Sequence, residues 1–349
     1  VRVRNVTRGS ASTFDSITDS SELLTVNLEK EASVIISDGE VTQAGNLAPI
    51  ENFAKQLAQL VSQDFDARVF AEVKNAANTF DTGDLTTLAS TGVAITESST
   101  TVPQMAARMP AKLRRNNIML DNLVYVVDSY GAAAMAEYLM GKSIDLAGST
   151  YANGYTGTVS MAEVYVSENL MGEAVLAMAT QPTDGDTVVI EGVTLTFKTA
   201  LTPAAGEVLI GGSADAARAN LTALINDPAT TTANGVALSA ANQDIILQSK
   251  KISAVNDNTA NTMTIQGIGS GALTLSETFT AGGDSWSKNF IHAYFGKRGG
   301  IDAVMQDYKG ADIRQRADQR ASSVFASYIG GVKTFADGAK KFLDVKIAR

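Results

Sequence analysis

The chain has 349 residues, 45% hydrophobic and 19% charged, with a formal net charge of −9 at pH 7. That length allows a large core and two or more domains, and the acidity excludes a phosphate-neutralising surface of clustered cations, although an acidic protein can still enclose DNA without adhering to it. With no cysteine and one histidine, His292, disulfides, thiolate zinc sites, cysteine nucleophiles and His-cluster metal sites are excluded.

Residues 1–46 read as an extended β-hairpin arm. Val1-Arg-Val3-Arg-Asn-Val6 alternates, residues 10–21 form a polar tip, and Leu24-Thr-Val26-Asn-Leu28 resumes the alternation towards the turn pair Asp38-Gly39. A two-stranded ribbon is marginal alone in water, so it needs a surface, which a neighbouring subunit could supply. Residues 47–80 read as a spine helix opened by Pro49, with Ile50, Phe53, Leu57, Leu60, Val61, Phe65, Val69 and Val73 spaced by threes and fours. About 30 helical residues would make a rod of about 45 Å.

Residues 81–182 read as an α/β segment. A helix is expected over 102–116, kinked or split by Pro110. A buried strand follows at 123–127, then a small-residue helix over 130–139, a loop over 141–158, and strands at 159–166 and 173–179.

Residues 183–283 differ in character and read as an inserted β-rich surface domain, dense in Thr, Ala, Gly and Asn and free of Tyr and Trp. A hairpin turns at Glu191-Gly192, an amphipathic helix covers 213–226, and strands are expected at 236–239, 244–248, 262–266 and 273–279. Its four basic residues (Lys198, Arg218, Lys250, Lys251) against nine acidic ones leave a net of −5. Residues 284–349 regain the character of the first half. They carry a strand at 289–295, a basic segment at 312–327 expected to be helical in part, and two closing strands, 328–335 and 341–347, about Asp337-Gly338.

Few side chains suggest chemistry. His292 lies in the apolar run Phe290-Ile-His-Ala-Tyr-Phe295 with no companion nucleophile, so it reads as a core or interface histidine. Asp64-x-Asp66 falls on two sides of a helix, and Asp184-x-Asp186 lacks the Gly and closing Glu of a calcium loop. Gly267-Ile-Gly269-Ser-Gly271 is not followed by a helix or a Lys-Ser/Thr pair, so it reads as a turn between strands. Arg108, Lys112, Arg114 and Arg115 form a basic group suited to a solvated or inter-subunit face more than to DNA. Asn5-Val-Thr7 and Asn220-Leu-Thr222 match a glycosylation pattern, which has meaning only in a secreted chain. The expectation is no enzyme, with catalytic, cofactor and metal residues all absent. No transmembrane run or signal peptide is read either, and the start at Val1 is taken as an N-terminus cleaved or left out.

Three stretches carry a resemblance. They are Asn52-Phe-Ala-Lys-Gln-Leu to Asp64-Phe-Asp66, Tyr155-Thr-Gly-Thr-Val159 to Val164-Tyr-Val-Ser167-Glu-Asn169-Leu, and Arg320-Ala-Ser-Ser-Val-Phe-Ala to Tyr328-Ile-Gly-Gly-Val332-Lys. In this order, with an arm before and strands after, the chain resembles the major capsid protein of tailed double-stranded DNA bacteriophages. The resemblance covers nearly everything outside 183–283. It implies an α+β, Hong Kong 97-type capsid fold with a β-hairpin arm, a long spine helix, an α/β axial lobe and an inserted domain. It further implies hexamers and pentamers in an icosahedral shell, double-stranded DNA enclosed without sequence-specific binding, and a place in the virion after assembly in the bacterial cytoplasm. Portal, scaffolding and decoration proteins would be partners, and no membrane would be. The family's N-terminal arm and maturation segment are not recognised here. Lys30, the only lysine of the β-arm, lies away from the expected tip, so no isopeptide crosslink is expected. An encapsulin-type shell and a secreted adhesin with an Ig-like module are the alternatives.

Overall fold

The computed structural model of the chain describes residues 21–37, 50–140, 158–159, 161–280, 282–315 and 321–349. The first half contains β1 (Leu28–Ser37), α1 (Ile50–Ala71), β2 (Asn78–Phe80), α2 (Thr101–Arg115), β3 (Leu123–Val127) and α3 (Ser129–Met140). Next come β4 (Thr158–Val159), β5 (Ala162–Val166), β6 (Met171–Ala177), β7 (Thr187–Ile190), β8 (Val193–Lys198) and β9 (Glu207–Leu209). Helices α4 (Ala214–Asn226) and α5 (Ala240–Asp244) precede β10 (Ile252–Asp257), β11 (Thr262–Gly267) and β12 (Leu275–Glu277). The chain closes with β13 (Ser285–Lys297), β14 (Asp302–Gln315), β15 (Ala321–Lys333), α6 (Ala336–Ala339) and β16 (Phe342–Ala348).

Helix α1 lies on a three-stranded antiparallel sheet of order β1-β15-β14. Alternate residues of a strand face opposite sides, so Val324, Ala326 and Tyr328 of β15 turn towards the helix. With Ile36 of β1 they meet Ala54 and Val61, flanked by Phe53, Leu57 and Phe65. The Phe65 and Tyr328 rings meet edge to face at 5.3 Å.

A nine-stranded sheet of order β10-β11-β6-β13-β3-β5-β4 forms the centre, with β16 on β13 and β2 on β16. Strand β13 is its axle: one edge bonds β6 and then β3, and the other bonds β16. Helix α2 covers this sheet through Val102, Met105, Met109 and Leu113, a period of three to four that keeps one stripe inward. That stripe meets β3, whose five residues are all buried, together with Phe295, Phe342 and Val345. The Ser167–Leu170 motif has a physical role here. Ser167 N–H donates to Val127 O at 2.9 Å, Ser167 Oγ accepts from Asn169 N, and Leu170 is buried in this core.

A four-stranded sheet of order β12-β7-β8-β9, with α4, holds a second core. Its β7–β8 hairpin turns at Glu191 and Gly192, both at positive φ (52° and 80°), as a two-residue turn of the favoured twist requires. Ser213 caps α4 by accepting from Ala216 N. This core extends beyond residues 183–283, because it includes Ala174, Leu176 and Met178 and packs against Trp286. Strands β10 and β11 likewise hydrogen-bond into the central sheet through β6.

Several expectations are corrected. Helix α1 has 22 residues, about 33 Å, because the chain tightens into a 3-10 turn at Glu72–Asn75 that buries Val73. Residues 78–80, read as the end of the spine-helix segment, form β2 and pair in parallel with β16. Residues 312–327 hold no helix among those described, since Val324, Ala326 and Tyr328 face α1 while Ser323, Phe325 and Ser327 between them face the other side of β15. Pro110 sits inside a continuous α2. Residues 244–248 are helical, α5 passing into a π-helix at Ile245–Ser249, where only Ile246 is buried. Residues 236–239 are irregular. The closing strands are not a hairpin, since β15 and β16 belong to different sheets. In the arm, β1 takes β15 of its own chain as partner, while residues 1–20 and 38–49, and the loop at 141–157, lie outside the described residues.

Arg218 fastens α4 to the rest. Its side chain is fully buried, donates to Met178 O, pairs with Asp215, and reaches Asn256 (3.3 Å) and Asn261 (3.2 Å) near the β10–β11 turn. Removing a buried charged donor orphans its acceptors and costs about 3 kcal/mol. Arg218→Ala is therefore expected to lower the urea midpoint reported by Trp286, the only tryptophan and a neighbour of this core, and Arg218→Lys, which lacks the planar fork, to rescue little. An unchanged midpoint in Arg218→Ala would show the cluster to be dispensable.

Candidate functional site

His292 sits mid-strand on β13, only 2% exposed, between two carboxylates from flanking strands. Nδ1 lies 2.9 Å from Asp344 Oδ1 on β16, and Nε2 lies 3.5 Å from Glu173 Oε2 on β6, an ion-pair distance without hydrogen-bond geometry. Burial pushes the imidazole down, but Asp344 and then Glu173 outweigh it and carry the pKa from 6.5 up to about 9. Burial pushes Glu173 up, yet His292 and Gln266 hold it below its ordinary value. A polar line runs on from there, with Gln266 Nε2 donating to Glu173 at 2.7 Å and Lys74 Nζ donating to Gln266 at 2.8 Å. Lys346 stacks over Phe290, whose ring neighbours the imidazole. His292 is thus an imidazolium pinning three strands, without a hydroxyl, thiol or metal ligand set around it among the described residues.

The other residues considered for chemistry are also engaged within the chain. Asp64 on α1 accepts from Arg68 Nε (3.0 Å), Tyr328 Oη (2.6 Å) and Lys251 Nζ (2.8 Å), whereas Asp66 is exposed. Burial raises the Asp64 pKa, but Lys251, Tyr328 and Arg68 together hold it below its ordinary value. Asp184 accepts from Thr199 N and Asp186 from Thr183 N, closing the ends of β7 and β8. Gly269 and Gly271 occupy positive φ (67° and 62°) in the turn after β11. The basic group does not form an outward patch. Lys112 Nζ is 2.6 Å from buried Asp84, Arg108 donates to Thr86 O at 2.6 Å and Arg115 to Leu88 O, so three of the four clamp the 79–88 loop, and Arg114 is exposed. Asn220 Nδ2 donates to Leu209 O inside its own segment.

Other linked residues carry no sequence motif. Arg349 pairs with Glu97 (2.7 Å) and Asp128 (2.5 Å), tying the last residue to β3 and to the approach to α2. These partners are more than two hundred positions away in sequence, so no local pattern could have revealed them.

The feature suited to function is a surface. The face of β1-β15-β14 away from α1 is open. Its rows Glu31–Ser327–Lys309 and Ile35–Ser323–Arg314 flank Ser33–Phe325 and line a groove of about 460 Å³. Ile35 is 52% exposed, and Arg314 stacks on Phe325 at 4.7 Å. Strands β1 and β14 are both edges of this sheet. Ile35 and Phe325 are set among charged and hydroxyl side chains here, and exposed strand edges are what proteins avoid leaving in water.

The buried ion triad predicts a pH dependence with a defined sign. The folded pKa of His292 is raised, so its contribution is complete below about pH 6.5 and is lost as pH rises through about 9, at most about 3 kcal/mol. The thermal midpoint should fall over that window in the native chain and flatten in His292→Gln, which should also be less stable at pH 6. A native midpoint that rises between pH 7 and 9 would contradict the assignment.

No family model and no curated protein matches the chain. Solved structures do. The capsid structure of the Cyanophage P-SCSP1u matches 100% of this chain and 81% of its own, at 9% identity and a TM-score of 0.52. A chain of Mycobacterium phage Che8 matches 95% of this chain and 75% of its own, at 12% identity and a TM-score of 0.48. One from the bacteriophage PhiM1 mature capsid matches 99% and 79%, at 10% identity and a TM-score of 0.47. At 9% identity the match to the cyanophage structure speaks for fold alone, and it spans the whole chain. The chain therefore has the fold of a phage capsid protein, the α+β architecture to which its sequence motifs pointed.

Proposed function

We propose that this chain is the coat subunit of a tailed double-stranded DNA phage head, assembling as hexamers and pentamers of a closed icosahedral shell. The observation that carries the reading is the capsid fold matched along the full chain. The outer face of the β1-β15-β14 sheet supports it, since it offers a groove of mixed polar and apolar side chains and, among the described residues, two unpaired edges to other copies. Subunits would be held by several moderate contacts at once, and simultaneous engagement multiplies their effect. A closed shell also leaves no strand edge free to recruit further chains.

The subunit acts by shape and is not an enzyme. DNA would be enclosed rather than gripped: the chain carries 28 basic against 37 acidic residues, and most of its basic group is spent on its own loop. Residues 183–283 would face the outside of the shell, an acidic, Thr-rich segment for contacts between capsomers or for accessory proteins. Portal, scaffolding and decoration proteins would be partners in the virion, with assembly in the bacterial cytoplasm.

Purified protein should form closed shells in electron micrographs, and shells isolated from infected cells should contain DNA. Ile35→Asp, a change at an exposed position with a stability effect within about 0.5 kcal/mol, should leave folded subunits that no longer close. Native protein that stays monomeric at high concentration, or shells that hold a protein cargo in place of nucleic acid, would refute the reading.

A further inference from the structure

We infer that Lys251 and Asp64 form a releasable latch between the β10–β11 segment and helix α1, and that its release lets α1 and its sheet swing towards a cleft on the helix's other flank. Lys251 reaches Asp64 at 2.8 Å from a backbone φ of +46°, in the left-handed region that side chains rarely adopt. Directly before it lies the π-helix Ile245–Ser249. Both conformations are uncommon and tend to sit where a structure holds strain for use.

Two further contacts join this segment to α1 and the turn after it. Gly269 rests on Ala67 with no side chain between them, since a Cβ there would come within 2.6 Å of the Ala67 methyl. Lys74 adds its hydrogen bond to Gln266. At 3.6 residues per turn, Val69 lies about 140° round the helix from Asp64. There it lines, with Phe70, Val124, Val126, Tyr294 and Ile301, an apolar cleft of about 200 Å³ between α1 and the central sheet. Closing the cleft would remove apolar surface from water, so packing on one flank pulls against the ion pair on the other. The chain crosses between the two bodies at the 3-10 turn Glu72–Asn75, at Gly299, which has φ +80° and open space around it, and between β15 and β16, where Thr334 bonds to Glu72 of the 3-10 turn. The cleft and the latch thus lie on opposite sides of a jointed helix. This inference does not depend on the shell reading.

Hydrogen exchange measured by mass spectrometry on the full chain tests it. Lys251→Met, which removes the charge and keeps the backbone conformation, should speed exchange about tenfold in residues 60–71 and 250–271 and leave β3 and β7–β8 unchanged. Asp64→Asn cancels the same charge pair and should give the same pattern. Adding Val69→Phe to Lys251→Met fills the cleft and should return exchange in residues 60–71 towards the native rate. Unchanged exchange in both single variants, acceleration spread evenly over the chain, or failure of Val69→Phe to slow the latch variant would each overturn the inference.

Discussion

A helix can cover only one face of a sheet, and α1 covers one face of β1-β15-β14. On the covered side Val324, Ala326 and Tyr328 are fully buried. On the other side Ile35, Phe325 and Arg314 line a groove open to water. A three-stranded sheet has two edges as well as two faces, and here neither edge has a partner among the described residues. The covered half makes the sheet persist, and the uncovered half leaves Ile35 and Phe325 at the surface among charged and hydroxyl side chains.

The arm changes the balance of forces without reversing it. Strand β1 does not project as half of an isolated ribbon, because its ten residues pair in register with β15. A residue such as Ala32 therefore finds packing at home, under α1. Ser33 and Ile35, one step along, face outward. The strand is anchored in its own chain and presented to others at the same time. The central sheet, by contrast, is self-sufficient: β13 has strands on both edges and a core on both sides of Phe295. Polar links join the two bodies through Asp64 to Lys251 and Lys74 to Gln266.

Much of the fold was legible because it is written in local periods. The stripe Phe53, Leu57, Val61, Phe65 gave α1, the buried run 123–127 gave β3, and Glu191-Gly192 gave a hairpin. Leu60, which falls in the same stripe by spacing, is 55% exposed, because steps of three and four drift around the helix. What was not legible depends on partners far away. The Ser-rich alternation of β15 looks featureless until α1 lies over it. The Ile-Ile-Leu run at 245–247 looks like a strand, but it has no ladder to join and coils instead. The basic group at 108–115 looks like a surface in sequence because its acceptors, Asp84 and the carbonyls of Thr86 and Leu88, come from a loop that spacing does not connect to it. The apolar run around His292 is enough to show that it is buried, while its charge depends on Asp344 and Glu173, which only the strand register brings alongside.

The central claim is that other copies cover the bare face of this sheet in the assembled state. Hydroxyl-radical footprinting of intact shells against dissociated subunits measures that directly, because Ile35 and Phe325 report the face while exposed Met119 and Tyr130 report general access. The account predicts that labelling at Ile35 and Phe325 falls several-fold on assembly, relative to those two references. Equal labelling of Ile35 and Phe325 in the two states would contradict it.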